Sequence, residues 1–210
     1  MIAKPIQEKG ILVKLLEKVI RVLLINECKK INNLKIDIVS TSIQIFRGEI
    51  QKINIIAEDI NYKDLLFDEV DLEANNLKLN FKLITKELFF KNDPIIKFKI
   101  SLSQKSLKAV LLSNNWNYIG NMIGKELSNQ DKLEDIKIKN GQFSIKASKE
   151  NNTINDTGKI EIKTDKGKIF LKNRTHNKTI KIPIDEKIYI DNVNIENNLI
   201  NIFGSSSISF

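Results

Sequence analysis

Two hydrophobic rhythms divide the chain. From Ile11 to Leu24 apolar residues recur at helical spacing. On a wheel of about 100° per residue, Lys14, Glu17, Lys18 and Arg21 gather within roughly 100°, while apolar residues cover roughly 220°. An arc that wide predicts a helix enclosed on most sides, with Leu15, Val19 and Leu23 at its centre. The charges exclude a secretory apolar run and a membrane span, which needs about 20 apolar residues with few charges. Asn26 and Glu27 intrude on the apolar arc, so the enclosure loosens or the helix ends by Asn32–Asn33.

Beyond this helix the period becomes two, the rhythm of strands. Leu34, Ile36 and Ile38 alternate with polar residues, as do Ile43 with Ile45 and Ile53 with Ile55. A spacing of i, i+2, i+7, i+9 recurs at Val70, Leu72, Leu77, Leu79, at Ile136, Ile138, Phe143, Ile145, and at Val193, Ile195, Ile200, Ile202. Two-residue turns at Asn140-Gly141 and Asn197-Asn198 would set Ile138 opposite Phe143 and Ile195 opposite Ile200. A turn at Asp165-Lys166, with Gly167 following, would do the same for Ile162 and Ile169. A bulged continuous strand produces the same switch of phase. Either arrangement is an antiparallel meander with one apolar face.

One interruption is helical. Leu107, Val110, Leu111, Trp116, Ile119, Met122, Ile123 and Leu127 keep three-to-four spacing, with Ser103 as a cap and Asn114-Asn115 as a break. No linker or low-complexity tract marks a boundary, so residues 1–210 read as a single domain with loose termini at 1–9 and 205–210. A one-faced meander must cover that face, and the first helix needs enclosing. The expected fold is therefore α+β: a long N-terminal helix wrapped by a strongly curved antiparallel sheet, with a short helical insertion in the middle.

Composition narrows the chemistry. With 210 residues, 41% of them hydrophobic, the chain can build a core. One cysteine, Cys28, excludes an intramolecular disulfide and a cysteine-based zinc site. One histidine, His176, leaves Ser/His and Cys/His catalysis without support, and no cofactor, metal or catalytic residue is expected. The formal net charge of +8 points to an anionic partner, nucleic acid or an acidic membrane. Only three arginines occur, which weakens base-specific recognition. The charge is also uneven: Glu58–Glu73 carries seven acids against Lys63, and Gly158–Lys181 eight bases against Glu161 and Asp165.

Arg47-Gly48-Glu49-Ile50, the run from Ile53 to Tyr62, Leu65, and Glu69-Val70-Asp71-Leu72-Glu73-Ala74 together resemble the core pattern of the LmeA-like phospholipid-binding family. Leu102 to Leu107, Ile182-Pro183-Ile184, the Val193–Ile202 repeat and Gly204 are similar to its later segments. The resemblance implies a tubular lipid-binding-like fold with an apolar groove for acyl chains, and binding of phospholipids, anionic ones included. Envelope members of that family carry an export signal. None is recognisable here, so the expected location is cytoplasmic or peripheral on the inner face of a membrane.

The expected function is non-enzymatic binding of phospholipid or another acyl lipid, in a groove between helix and sheet. Leu15, Val19, Leu23, Val70, Leu72, Trp116, Ile119, Met122, Ile123, Ile138 and Phe143 are the groove candidates. The same alternation is equally satisfied by a filled core. Lys159, Lys163, Lys168, Lys172 and Arg174, alternating outward on one hairpin, are the candidates for contact with anionic headgroups. The alternatives are a nucleic-acid-binding module using residues 158–181, disfavoured because aromatics are few on that face, and a membrane-associated protein-interaction scaffold.

Overall fold

The computed structural model describes residues 9–82, 87–149 and 152–207. Helix α1 (Ile11–Glu27) leads into β1 (Lys30–Val39), a short α2 (Ser42–Phe46), β2 (Glu49–Tyr62), β3 (Leu65–Lys82), β4 (Glu87–Phe90) and β5 (Ile95–Ser103). Two helices follow, α3 (Gln104–Leu111) and α4 (Asn117–Ser128). A second run of strands comprises β6 (Lys132–Lys139), β7 (Gln142–Lys149), β8 (Asn152–Asp165), β9 (Lys168–Asn173) and β10 (Lys178–Lys181). The last two strands are β11 (Ile188–Glu196) and β12 (Leu199–Ser207).

The strands form two antiparallel sheets. The first is seven-stranded, in the order β1-β2-β3-β5-β12-β11, with β4 also on β3. The second is a five-stranded meander, β10-β9-β8-β7-β6, inserted in the chain between β5 and β11.

Turn chemistry sets the register of three hairpins. Asn140 and Gly141 both have positive φ, as do Asn197 and Asn198, and they join hairpins in which Ile138 faces Phe143 and Ile195 faces Ile200. At β8–β9 the turn falls on Lys166-Gly167, one residue later than Asp165-Lys166. Ile162 therefore faces Leu171, and Ile169 faces Thr164. Gly167 supplies the left-handed φ of 74° that the later position requires. The Val70–Leu79 repeat is the bulged alternative. β3 runs straight through it, and Asn76 (φ 54°) switches the phase, so that both Ala74 and Leu77 are buried.

Both sheets are open, and neither curls around α1, which overturns the wrapped-helix, tubular expectation. The first sheet has one broad apolar face with two covers lying side by side. Val13 and Leu16 of α1 pack with Leu34, Ile36 and Ile38 of β1, Ile50, Ile53 and Ala57 of β2, and Ala74, Leu77 and Leu79 of β3. On the same face, Leu102 and Ile200 pack against Ile136, Phe143, Ile160 and Leu171 of the second sheet, together with α3 and α4. Cross-strand pairing fixes these as one face: Ala74 pairs Ile96, Leu72 pairs Phe98, and Ile100 pairs Ile202. Phe67 touches both clusters.

The roll of α1 is what sequence periodicity misjudges. Glu17 accepts a hydrogen bond from Ile38 N (3.0 Å), and Arg21 donates to Leu34 O (2.6 Å). Half of the polar arc is therefore hooked onto the outer edge of β1, while Lys14 and Lys18 face solvent. The apolar arc is split as a result. Val13 and Leu16 are buried, with Ile20 and Leu24 packed beside them. Leu15 and Leu23 remain 49% and 42% exposed and Val19 is half-buried, so none of the three is enclosed by a sheet.

Two further assignments change. Ile43 and Ile45 lie in α2, because Thr41 and Gln44 form a reciprocal capping box. Residues 205–207 belong to β12, where Ser205 pairs with Lys97 and Tyr189, whereas 1–8 and 208–210 lie outside the described residues. The middle helices agree with their pattern: Ser103 caps α3 by accepting from Ser106 N (3.2 Å), and the chain breaks before Asn117. Asn173, fully buried, ties α4 to the second sheet by donating to Leu127 O (3.1 Å). Gly158 leaves room for it, since a Cβ there would sit 2.6 Å from the Asn173 amide nitrogen.

The split arc has a direct check. Leu16→Asp places a charge in the core, at a cost of several kcal/mol against a total of about 5–15, and should abolish cooperative unfolding in a circular-dichroism melt. Leu23→Asp should melt within a few degrees of the wild type. Loss of folding in both variants would mean that α1 is enclosed after all.

Candidate functional site

α1 covers only part of the sheet beneath it. Between its exposed flank, α2 and the β2–β3 end of the first sheet lies an apolar groove of 280 Å³. Leu12, Leu15, Leu16 and Val19 form the helix wall, and Ile45 and Phe46 of α2 the facing wall. Ile50 and Leu79 form the floor. Arg47, Asn80 and Lys91 supply the polar part of the lining. Apolar surface continues beyond the groove: Ile11 and Phe46 are both 85% exposed, and Ile43 is exposed beside them.

The local chain explains this geometry. The capping box starts α2, and Arg47 N donates to Ile43 O at its end. Gly48 then turns the chain into β2 with a φ of 75°; its N–H donates to Ile45 O and its carbonyl accepts from Leu79 N (2.6 Å). A Cβ on Gly48 would lie 2.1 Å from Leu79 O, so glycine alone permits this approach. Opposite, Lys91 N donates to Lys78 O (2.7 Å), while the Asn92 side chain accepts from Lys78 N and donates to Asn76 O. Both cations of the lining thus stand on fixed backbone.

The expected groove residues are dispersed. Leu15 and Val19 line the groove. Leu23 lies further along the exposed side of α1, and Val70 and Leu72 are half-buried in β3. Trp116 is held away from the groove, donating to Lys63 O (3.2 Å) and stacking on Tyr118. Ile119, Ile123 and Phe143 line a separate, wholly apolar gap of 140 Å³ between α3, α4 and the two sheets. Met122 and Ile138 pack in the surrounding core. Leu12, Ile45, Phe46, Arg47, Leu79 and Lys91 were missed. The Thr41-Ser42-Ile43-Gln44 capping box and the Arg47-Gly48 pair were the available signals for α2; nothing local marked Leu79 or Lys91.

The two charged segments behave differently. Four of the seven acids of Glu58–Glu73 find lysine partners: Asp59 with Lys30, Asp64 with Lys29, Glu69 with Lys99 and Glu73 with Lys52. On the second sheet, Lys159, Lys163, Lys172 and Arg174 occupy the outer face, joined by Lys137 and Lys181. Glu161 lies among them, and its carboxyl is held below the usual range by Arg174 and then Lys163. Lys168 is engaged elsewhere, reaching Asp185 O and Ile188 O at 3.3 and 3.4 Å. Among the described residues no cluster of three or more His, Cys, Asp or Glu side chains is placed to hold a metal, and no helix is long and apolar enough to cross a membrane.

Comparison with known proteins brings in no relative: no family model, curated protein or solved structure matches the chain.

Two outcomes test the geometry. Gly48→Ala should destabilise by more than about 1 kcal/mol in denaturant unfolding, because a left-handed φ and a carbonyl clash act together. Reversing Lys159, Lys163 and Lys172 to Glu should leave folding intact and reduce sedimentation with anionic vesicles, the difference shrinking as salt is raised. Unchanged sedimentation at low salt would leave the basic face without a membrane role.

Proposed function

We propose that this protein binds an acyl lipid without chemical conversion, at or near a membrane surface, with the chain lying in the groove between α1, α2 and the β2–β3 end of the sheet. The observation that carries this is the groove itself. It is apolar on both walls and the floor, it opens onto exposed Ile11, Ile43 and Phe46, and no described segment covers it. Contiguous exposed apolar surface of this kind marks an interaction site in a folded protein. Each methylene removed from water contributes about 0.8 kcal/mol, so affinity needs no special residue at the walls.

The basic outer face of the second sheet supports a membrane setting. α1 and the second sheet cover the same face of the first sheet, so both covers turn their outer sides away from it. Exposed apolar side chains on one cover and lysines on the other combine the two attractions that hold peripheral proteins on anionic bilayers.

Leu15→Asp and Phe46→Asp test the proposal, because both positions are exposed enough to carry a charge in a folded chain. The expected result is an unchanged melting profile with loss of bound lipid in native mass spectrometry and of vesicle binding. Retained lipid in a folded double variant would refute the groove as the site.

A further inference from the structure

We infer that the groove selects a ligand with one alkyl chain and a compact anionic head, the head held between Arg47 and Lys91. This deepens the lipid proposal and rests on it. The chain number follows from size. At 280 Å³ the groove lies below the lower end of ligand pockets, which span about 300–1,000 Å³. That space suits one alkyl chain lying along Leu15 and Val19, and two chains side by side would leave one of them in water.

The head follows from charge. Arg47 and Lys91 both line the groove, and neither makes a side-chain hydrogen bond or ion pair among the described residues. Lys9, which bridges Glu17 and Asp37, and Lys52, which bridges Glu73, are neutralised by carboxylates. Lys14 and Lys18 are, among the described residues, unpaired like Arg47 and Lys91 but do not line the groove. Two cations without carboxylate partners among the described residues, beside an apolar slot, match an alkyl chain ending in anionic oxygens. Arg47 offers the planar fork that meets two oxygens at once, and Lys91 adds a point charge. Their backbone is set before binding by the end of α2 and by the Asn92 clamp, so the ordering cost falls on the two side chains alone. Phosphate and carboxylate heads share this chemistry.

Calorimetric titration of the full chain separates the parts, using dodecyl phosphate, laurate, dodecyl maltoside, dihexanoyl phosphatidic acid and inorganic phosphate. Dodecyl phosphate and laurate should both bind more tightly than dodecyl maltoside. Dihexanoyl phosphatidic acid, which divides a similar number of carbons between two chains, should bind more weakly than dodecyl phosphate. Inorganic phosphate alone should give no measurable heat. Arg47→Gln and Lys91→Gln should each weaken dodecyl phosphate binding about fivefold, leaving dodecyl maltoside unchanged. Equal affinity for charged and neutral heads, or a preference that survives both substitutions, overturns the headgroup assignment while the groove stands. Two-chain binding as tight as one-chain binding overturns the chain number. If dodecyl maltoside also fails to bind, the groove proposal falls together with this one.

Discussion

An α-helix with its side chains is about 10 Å across, and strands in a sheet repeat about every 4.8 Å, so one helix covers roughly two strands. The first sheet sets six strands in a row and turns one apolar face to be covered. The second sheet takes the β5–β12–β11 end, and α1 lies along the β1 edge, with Val13 and Leu16 in one cluster with residues of β1, β2 and β3. Above Ile50 and Leu79, themselves 2% and 4% exposed, α1 and α2 leave a gap, and that gap is the groove. The opening is thus a consequence of mismatched widths. α2 narrows it without closing it, being only five residues long.

The two side-chain contacts at the rim of β1 decide which part of α1 is left uncovered. A free strand edge invites pairing with other chains unless its polar groups are occupied. Glu17 takes the amide of Ile38, and Arg21 reaches the carbonyl of Leu34. This protects the edge and rolls the helix, so that Leu12, Leu15 and Val19 turn toward α2. Protection of the edge and exposure of the apolar flank are one arrangement seen from its two sides.

What the sequence disclosed depends on how local the cause is. The Asn-Gly and Asn-Asn turns need only two residues in left-handed backbone, and of the two readings open there, hairpin or bulged strand, the hairpin carries the register found. The β8–β9 turn was displaced because Asp165-Lys166-Gly167 offers two overlapping turns, and the glycine decides between them. α2 was read as strand because Ile43 and Ile45 also satisfy period two, and the capping box around them was overlooked. The enclosed helix failed for a deeper reason. Helical periodicity separates polar from apolar residues but assumes that polar ones face water, whereas Glu17 and Arg21 face a strand edge. Of the groove, Leu15 and Val19 were legible as part of a wide arc. Lys91 and Leu79 were not, since only the pairing of β2 with β3 and the Asn92 clamp bring them there.

The order in which strands join the first sheet has a bearing on how the chain reaches this state. β5 acquires its second neighbour only from β12, and the buried Ser101–Asn201 hydrogen bond there spans 100 positions of sequence. Contacts between such distant residues require the intervening chain to be ordered or looped out, which slows folding. During synthesis β1, β2, β3 and β5 can pair while the second sheet is still being made, leaving one long strand with an open side. Until then that half-finished edge is open to pairing with other chains, and β12 acts on it as a late-arriving internal chaperone.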